Sequence, residues 1–268
     1  MSTSNQPDWH KIAEKFDLWL THIQPVGDEM LNAFQPKSGD KILDVASGTG
    51  EPALTLARRR EDVSIIGVDA AEGMINVAQS KVNNEALENI SFSVMPAEKL
   101  SLDDNSVDHV ICRFGVMLFD DPLTGLKEIY RVLKPGGQFV IAVWGERDKM
   151  PTMTWSYEVF KDKVSEDDMP PLKIVTSLGA PGAVDTLLNQ AGFSSFKVER
   201  KEFEYDFESF DDYWSLIEAS DILKRQFDSL PVTEHEKVKN EVAGFADEYV
   251  SDSGLKVPHE YILVYGQK

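Results

Sequence analysis

The chain has 268 residues, enough for one large or two small domains and for a sizeable buried core. With 27 basic against 46 acidic residues its formal net charge is −19, which argues against a surface that tracks nucleic-acid phosphates. The apolar and charged fractions, 42% and 27%, are those of a globular protein rather than an acidic disordered chain.

The single cysteine, Cys112, excludes an intrachain disulfide framework and a thiolate-rich zinc site, so a reducing, cytoplasmic setting is expected. Residues 1–7 are polar and lack the basic and apolar regions of a secretory leader. The longest apolar stretches, such as 139–144, are strand length, so no membrane span is expected.

In chain order, Trp9, Ile12, Phe16, Trp19 or Leu20, and Ile23 recur at helical spacing up to Pro25, which predicts one amphipathic helix. A second, short helix is expected over 26–34. Residues 1–40 therefore read as N-terminal helices, and 41–268 as the main domain. From 41 to 144 short β-rich runs alternate with helical patterns. Strands are predicted at 42–46, 64–69, 90–95, 107–114 and 138–144, and helices at 51–60, 71–83 and 122–133. The last helix is stopped by Lys134-Pro135-Gly136-Gly137.

Beyond Gly145 the alternation ceases, and 150–181 reads as a helical insertion. A helix is predicted at 183–191, ended by Gly192, then strands at 196–207 and 259–266. Two helical patterns, 211–227 and 233–250, lie between those strands, so 210–250 is a second insertion. The fold class is α/β, a Rossmann-like doubly wound sheet of seven mostly parallel strands with helical cap elements.

Strand 42–46 runs directly into Ser47-Gly48-Thr49-Gly50 and then a helix. Glycines there permit positive φ and let backbone amides approach a ligand. The pattern also suits a dinucleotide, because Gly48-x-Gly50-x-x-Ala53 fits the loose fingerprint and Asp69 lies nineteen residues past Gly50. Asp69 can accept from the 2′ and 3′ hydroxyls of any adenosine ligand, or cap the following helix. Asp44 shifts the balance, since a carboxylate there suits a cationic ligand and repels a pyrophosphate.

With Asp44-x-Ala46-x-Gly48-x-Gly50 the sequence resembles class I S-adenosylmethionine-dependent methyltransferases, with Ala46 in place of the family's leading glycine. The resemblance continues through Gly67-Val68-Asp69-Ala70-Ala71-Glu72-Gly73-Met74, Met95-Pro96-Ala97-Glu98, 108–114 and 131–137. It looks closest to the ubiquinone and menaquinone C-methyltransferase group of small-molecule enzymes. The resemblance implies that Ala46, Ser47, Gly48 and Gly50 line the methionine portion of S-adenosylmethionine, with Asp44 near its amine. Asp69, with Ala70 beside it, would hold the ribose. Met74, Ala97 and Glu98 would flank the adenine, and Arg113 and Phe114 would meet the methionine carboxylate or the acceptor.

For Glu98 the plain alternative is a loop carboxylate, and for Arg113 an ion pair. Cys112 reads as inert packing, and Asp120-Asp121-Pro122 as a helix cap rather than a magnesium site. No histidines are spaced as metal ligands, so no metal is expected. His10 and His22, on the first helix, are the candidates for a general base. Trp9, Trp19, Trp155, Tyr157, Phe160, Tyr213, Trp214 and Phe227 supply aromatic surface for an apolar pocket, so the expected partner is a small aromatic or lipophilic methyl acceptor. An NAD(P)-dependent oxidoreductase and a non-catalytic S-adenosylmethionine-binding protein remain as alternatives.

Overall fold

The computed structural model describes residues 8–165, 169, 172–219 and 224–268. The segment 1–7, and parts of the two stretches read as insertions, lie outside the described residues. In chain order the elements are α1 (Trp9–Asn32), β1 (Lys41–Val45), α2 (Ala53–Arg59), β2 (Ser64–Asp69), α3 (Glu72–Glu85), β3 (Ile90–Val94), β4 (Val107–Arg113), α4 (Pro122–Val132) and β5 (Leu133–Trp144). They continue with α5 (Pro151–Phe160), α6 (Leu172–Val175), α7 (Ala183–Ala191), β6 (Ser195–Phe207), α8 (Phe210–Ala219), α9 (Lys224–Asp228), α10 (Val232–Ala246), β7 (Val250–Ser251) and β8 (Gly254–Gln267).

The sheet order is β3-β2-β1-β4-β5-β8-β6. The first five strands pair in parallel, and β8 joins β5 and β6 antiparallel. The seven-stranded expectation is borne out along this path, with the two-residue β7 added as a hairpin on β8. The chain runs outward through β1, β2 and β3 and then crosses back to β4 on the other side of β1, so the strand order switches direction between β1 and β4. That reversal opens a crevice at the carboxyl ends of the strands, where doubly wound sheets take their ligands.

The central strands are covered on both faces, and Ile42, Leu43, Val45, Val110, Ile111, Val140 and Ile141 are all buried. Helix α4 buries Leu126, Ile129 and Val132 on one face, and Asp121 caps its start by accepting from the amides of Leu123 and Thr124. Helix α7 ends at Gly192, whose φ of +108° is the left-handed C-cap that the sequence implied.

Two boundaries differ from expectation for physical reasons. Pro25 does not end the first helix: α1 runs unbroken through it. An interior proline costs about 3 kcal/mol, but Ile23, Val26, Met30 and Leu31 all bury into the main core on either side of it. The Pro135-Gly136-Gly137 segment lies inside β5 rather than before it, since the Gly136 amide donates to the Lys268 carbonyl and the Lys268 amide to the Gly137 carbonyl.

The last strand is also longer than expected. Residues 255–258 pair with β6, Leu255 opposite Phe207 and Pro258 opposite Glu204, and Pro258 had hidden that extension from a reading of pattern alone. Along the second half of β6, Phe203, Tyr205 and Phe207 are buried and alternate with Glu204 and Asp206, which face solvent. No helix among the described residues is long and apolar enough to cross a membrane.

Candidate functional site

The turn after β1 is built from unusual backbone. Ala46, Gly48 and Gly50 have φ of +56°, +53° and +107°. Ala46 thus occupies a left-handed conformation that normally favours glycine, at the position where the sequence pattern would have one. The Ser47 amide donates to the Val68 carbonyl at 2.9 Å and the Gly50 amide to the Ser47 carbonyl at 2.9 Å, so the turn is tied to β2 and to itself.

Asp69, at the end of β2, fastens the same turn. One carboxylate oxygen accepts from the Gly48 amide and the other from the Ala71 amide, each at 2.9 Å. Of the two roles anticipated, the helix-entry contact is present in the Ala71 amide bond, and the hold on the Gly48 amide is an additional one that the sequence did not suggest. Each oxygen keeps a second acceptor position. Burial raises the Asp69 pKa, and the two amides oppose that shift.

Beside this turn lies a cavity of about 380 Å³. Ala46, Ser47, Gly48, Asp69 and Ala70 line one end. Met74, Ala97 and Glu98 stand along its wall, and Arg113 and Phe114 come from the end of β4. The sequence had named all ten. Asp44 and Gly50 do not line it. A Cβ at Gly50 would fall 2.6 Å from Leu54 Cδ1 and 3.1 Å from Phe92, so this glycine is needed for packing under the turn.

Asp44 is 1% exposed and neither of its oxygens accepts a hydrogen bond among the described residues; the Ser47 hydroxyl is likewise buried and unpartnered. Burial pushes the Asp44 carboxyl up to about 8; Arg113 opposes the shift, and the like charges of Asp69 and Glu51 add to it. Burial thus favours the neutral acid over the fixed carboxylate that was expected. A cationic group brought close would ionise it.

A carboxyl whose pKa is raised on folding binds its proton more tightly in the native state. Its contribution is greatest below about pH 4 and is lost as pH rises to about 8. His259 works in the opposite sense, because burial lowers its pKa to about 4 and its contribution is complete above about pH 6.5. Between pH 6.5 and 8 Asp44 acts without that opposition. Ligand-free protein is expected to lose up to about 1.4 kcal/mol of stability per pH unit there from Asp44, and Asp44→Asn to remove that slope. Urea unfolding at a series of pH values checks this, and parallel curves for the two proteins would contradict it.

Arg113 is 8% exposed. Its guanidinium donates to the carbonyls of Glu51 at 2.8 Å and Ile23 at 3.4 Å, joining the glycine turn to α1. Burial pulls its pKa down to about 10, against the acidic groups Asp44, Glu51 and Asp28. Gly27 makes room for it, since a Cβ there would sit 2.8 Å from the guanidinium. Phe114, at φ +57°, stacks on Trp144 with centroids 3.7 Å apart.

The N-terminal half of α1 forms the cavity's outer wall through Trp9, Phe16, Trp19 and Ile23. Ile12 and Ala13 pack with Ala71 and Met74 in a small cluster separate from the main core. The wall is also pinned by polar contacts. Asp17 accepts from the Thr49 hydroxyl at 2.5 Å and from the Lys81 ammonium, which also donates to the Thr49 carbonyl at 3.0 Å.

Neither histidine considered as a base lines the cavity. His10 is exposed and its Nδ1 accepts from the Gly73 amide at 3.2 Å. His22 packs its ring 4.4 Å from that of Phe207. Of the aromatic residues assigned to the pocket, Trp9, Trp19 and Tyr213 line it, whereas Trp155, Tyr157, Phe160, Trp214 and Phe227 do not. The reason is helical phase. Thr152, Met153 and Ser156 form the cavity face of α5, which turns Trp155 and Phe160 into the core. Tyr205, Thr152 and Ser156 went unnoticed in the sequence; for Tyr205 the alternation along β6 was the available signal.

Glu98 accepts from the Asp121 amide at 3.2 Å and also lines the cavity. Cys112 is fully buried, and burial pushes its thiol pKa well up, which keeps it protonated. No group of three or more His, Cys, Asp or Glu side chains able to hold a metal occurs among the described residues.

The fold is shared with known structures. The YcgJ protein of Bacillus subtilis superposes with a TM-score of 0.62 at 20% identity, covering 92% of this chain and 99% of that one. A SAM-dependent methyltransferase from Aquifex aeolicus gives 0.55 at 28% identity, covering 72% and 92%. In sequence, the demethylmenaquinone methyltransferase of Bacteroides fragilis is 40% identical over 122 residues, 45% of this chain and 50% of that protein. The ubiquinone/menaquinone biosynthesis C-methyltransferase UbiE of Rickettsia prowazekii is 39% identical over 141 residues, 48% and 56%. The chain thus spans about half the length of the curated relatives it matches. The model of the ubiE/COQ5 methyltransferase family matches residues 8–172, a span that takes in α1, the glycine turn, Asp69 and the end of β4. On that match over more than half of its length, the chain belongs to the ubiE/COQ5 methyltransferase family.

Proposed function

We propose that the chain is a cytoplasmic S-adenosylmethionine-dependent methyltransferase acting on a small, lipophilic, quinone-type aromatic acceptor. The observation that carries this reading is one continuous cavity, bounded at one end by the glycine turn and Asp69 and at the other by aromatic and apolar side chains of α1, β6 and α8. Its volume of about 380 Å³ lies in the range of small-molecule sites.

The residues present fit that cofactor. The buried, unpartnered Ser47 hydroxyl at the cavity suits a ligand that brings a polar group to the turn, and the Asp44 carboxyl behind it favours positive charge there. Asp69 has acceptor capacity left for a diol, and Met74, Ala97 and Glu98 offer an apolar slot with one polar edge for a heterocycle. Arg113 has donors beyond the two that α1 and the turn occupy. When bound, the cofactor supplies a methyl group already activated by the adjoining sulfonium.

What this chain then contributes is alignment and dryness. Orientation of two bound partners is worth up to about 7 to 11 kcal/mol in favourable intramolecular analogues. Helix α1 acts as the cover in this reading, closing the cavity with Trp9, Phe16, Trp19 and Ile23, and Asp17 holds it to the turn. Helices α5, α6 and α8 shape the acceptor end.

The reading is tested by incubating the full chain with methyl-labelled S-adenosylmethionine and reduced naphthoquinones, with mass analysis of the products. Label transferred to the ring system is expected. Cofactor binding without transfer to any aromatic acceptor would favour the non-catalytic alternative.

A further inference from the structure

At the end of the cavity away from the glycine turn, four polar side chains break an otherwise apolar wall: Thr152, Ser156, Tyr205 and Tyr213. Behind them His259 on β8 is completely buried. One ring nitrogen, Nδ1, lies 3.2 Å from the Val257 carbonyl, which can only accept, so Nδ1 carries the hydrogen. In a neutral imidazole Nε2 is then an acceptor. Its partner is the Thr152 hydroxyl at 2.8 Å, which must therefore donate to it.

With its only hydrogen committed to His259, the Thr152 oxygen can offer a ligand nothing but lone pairs. Tyr205 complements it. Its ring packs 4.4 Å from that of His259, it lines the cavity, and its hydroxyl makes no hydrogen bond among the described residues. Tyr205 is 2% exposed, and it lines the cavity. The acceptor-only Thr152 oxygen and the Tyr205 ring flank one imidazole, so an acceptor and a donor line the same cavity, and a ring hydroxyl, which gives one hydrogen and receives another, can use both.

We propose that Thr152 and Tyr205, with His259 as the positioning residue behind Thr152, form the subsite that selects a methyl acceptor bearing a phenol-type hydroxyl. The inference rests on the methyl-transfer reading of the cavity. It goes beyond that reading because Tyr205 and His259 lie outside the span that matches the family model. Burial holds the imidazole neutral, with a pKa lowered to about 4, which keeps Nε2 available as an acceptor at physiological pH.

The test uses the full chain saturated with S-adenosylhomocysteine and two probes of nearly equal shape, 1-naphthol and 1-methoxynaphthalene, in calorimetric titrations. Wild-type protein is expected to prefer the naphthol by about tenfold. Thr152→Val should bring that preference close to one, chiefly by weakening the naphthol, whereas Tyr205→Phe removes a donor from which either probe oxygen can accept and should weaken both. His259→Phe should act like Thr152→Val, and His259→Gln, which can still accept from Thr152, should restore part of the preference.

No preference in the wild type, binding of neither probe, or a Thr152→Val variant that weakens both probes equally would overturn the subsite. S-adenosylhomocysteine affinity, measured first in every protein, keeps the two claims apart. Its absence in the wild type removes the methyltransferase reading, whereas its retention with an unselective acceptor end removes only this one.

Discussion

Asp69→Ala is expected to weaken S-adenosylhomocysteine binding by about 10²- to 10⁴-fold. A hydrogen bond to a charged group contributes about 1.5 to 3 kcal/mol, and two such bonds to a ribose would be lost together. The same change strands the Gly48 and Ala71 amides that Asp69 now holds at 2.9 Å, so the turn loosens as well. The variant should remain folded, with a lower melting temperature, because the surrounding strands bury their apolar residues independently of this carboxylate. Asp69→Asn retains one acceptor oxygen and should fall between the two. Near-normal affinity in a folded Asp69→Ala protein would show that the carboxylate serves the backbone alone.

Gly48→Val is the second large effect, and here the structure separates strain from occlusion. With φ at +53°, any side chain at this position is strained by about 1 to 2 kcal/mol. Space is not the obstacle in the empty protein, since the nearest atom to a Cβ would be Phe16 Cε1 at 3.7 Å. The added methyls would lie between the turn and Phe16, both of which line the cavity. A folded protein with at least about 100-fold weaker cofactor binding is expected, and Gly48→Ala should show a smaller loss close to the strain alone. Circular dichroism and calorimetry on the same samples read the two effects apart. Equal losses for alanine and valine would mean that backbone strain is the whole cause.

Much of this site could be read from the chain itself because its logic is local. A strand, a turn with positive φ and a carboxylate closing the next strand are short-range features, and so Ala46, Gly48 and Asp69 were placed correctly against the cavity. The parallel core was equally legible, since strands covered on both faces read as near-continuous apolar runs. Asp121 as a cap and Gly192 as a helix stop follow from chemistry within three residues.

What could not be read depends on distant partners. Pro25 looked like a helix end because the burial of Ile23, Val26 and Met30 that carries α1 past it comes from the rest of the fold. Asp44 looked like a permanent charge, yet its surroundings, assembled from three strands and α2, hold it close to neutral. The acceptor end was least legible. Thr152, Tyr205 and His259 are brought together from α5, β6 and β8, across more than 100 positions of chain, and no spacing rule links them. Aromatic content alone over-assigned the pocket, because a helix turns Trp155 and Phe160 into the core as readily as into a cavity.

The central claim is that the β1 turn and Asp69 hold an adenosyl sulfonium ligand rather than a dinucleotide. Calorimetric titration of the wild-type chain with S-adenosylhomocysteine, and separately with NAD(H), addresses it most directly. Saturable one-to-one binding of the former that Asp69→Ala abolishes, with none of the latter, is the expected result. Tight NAD(H) binding without S-adenosylhomocysteine binding would contradict it.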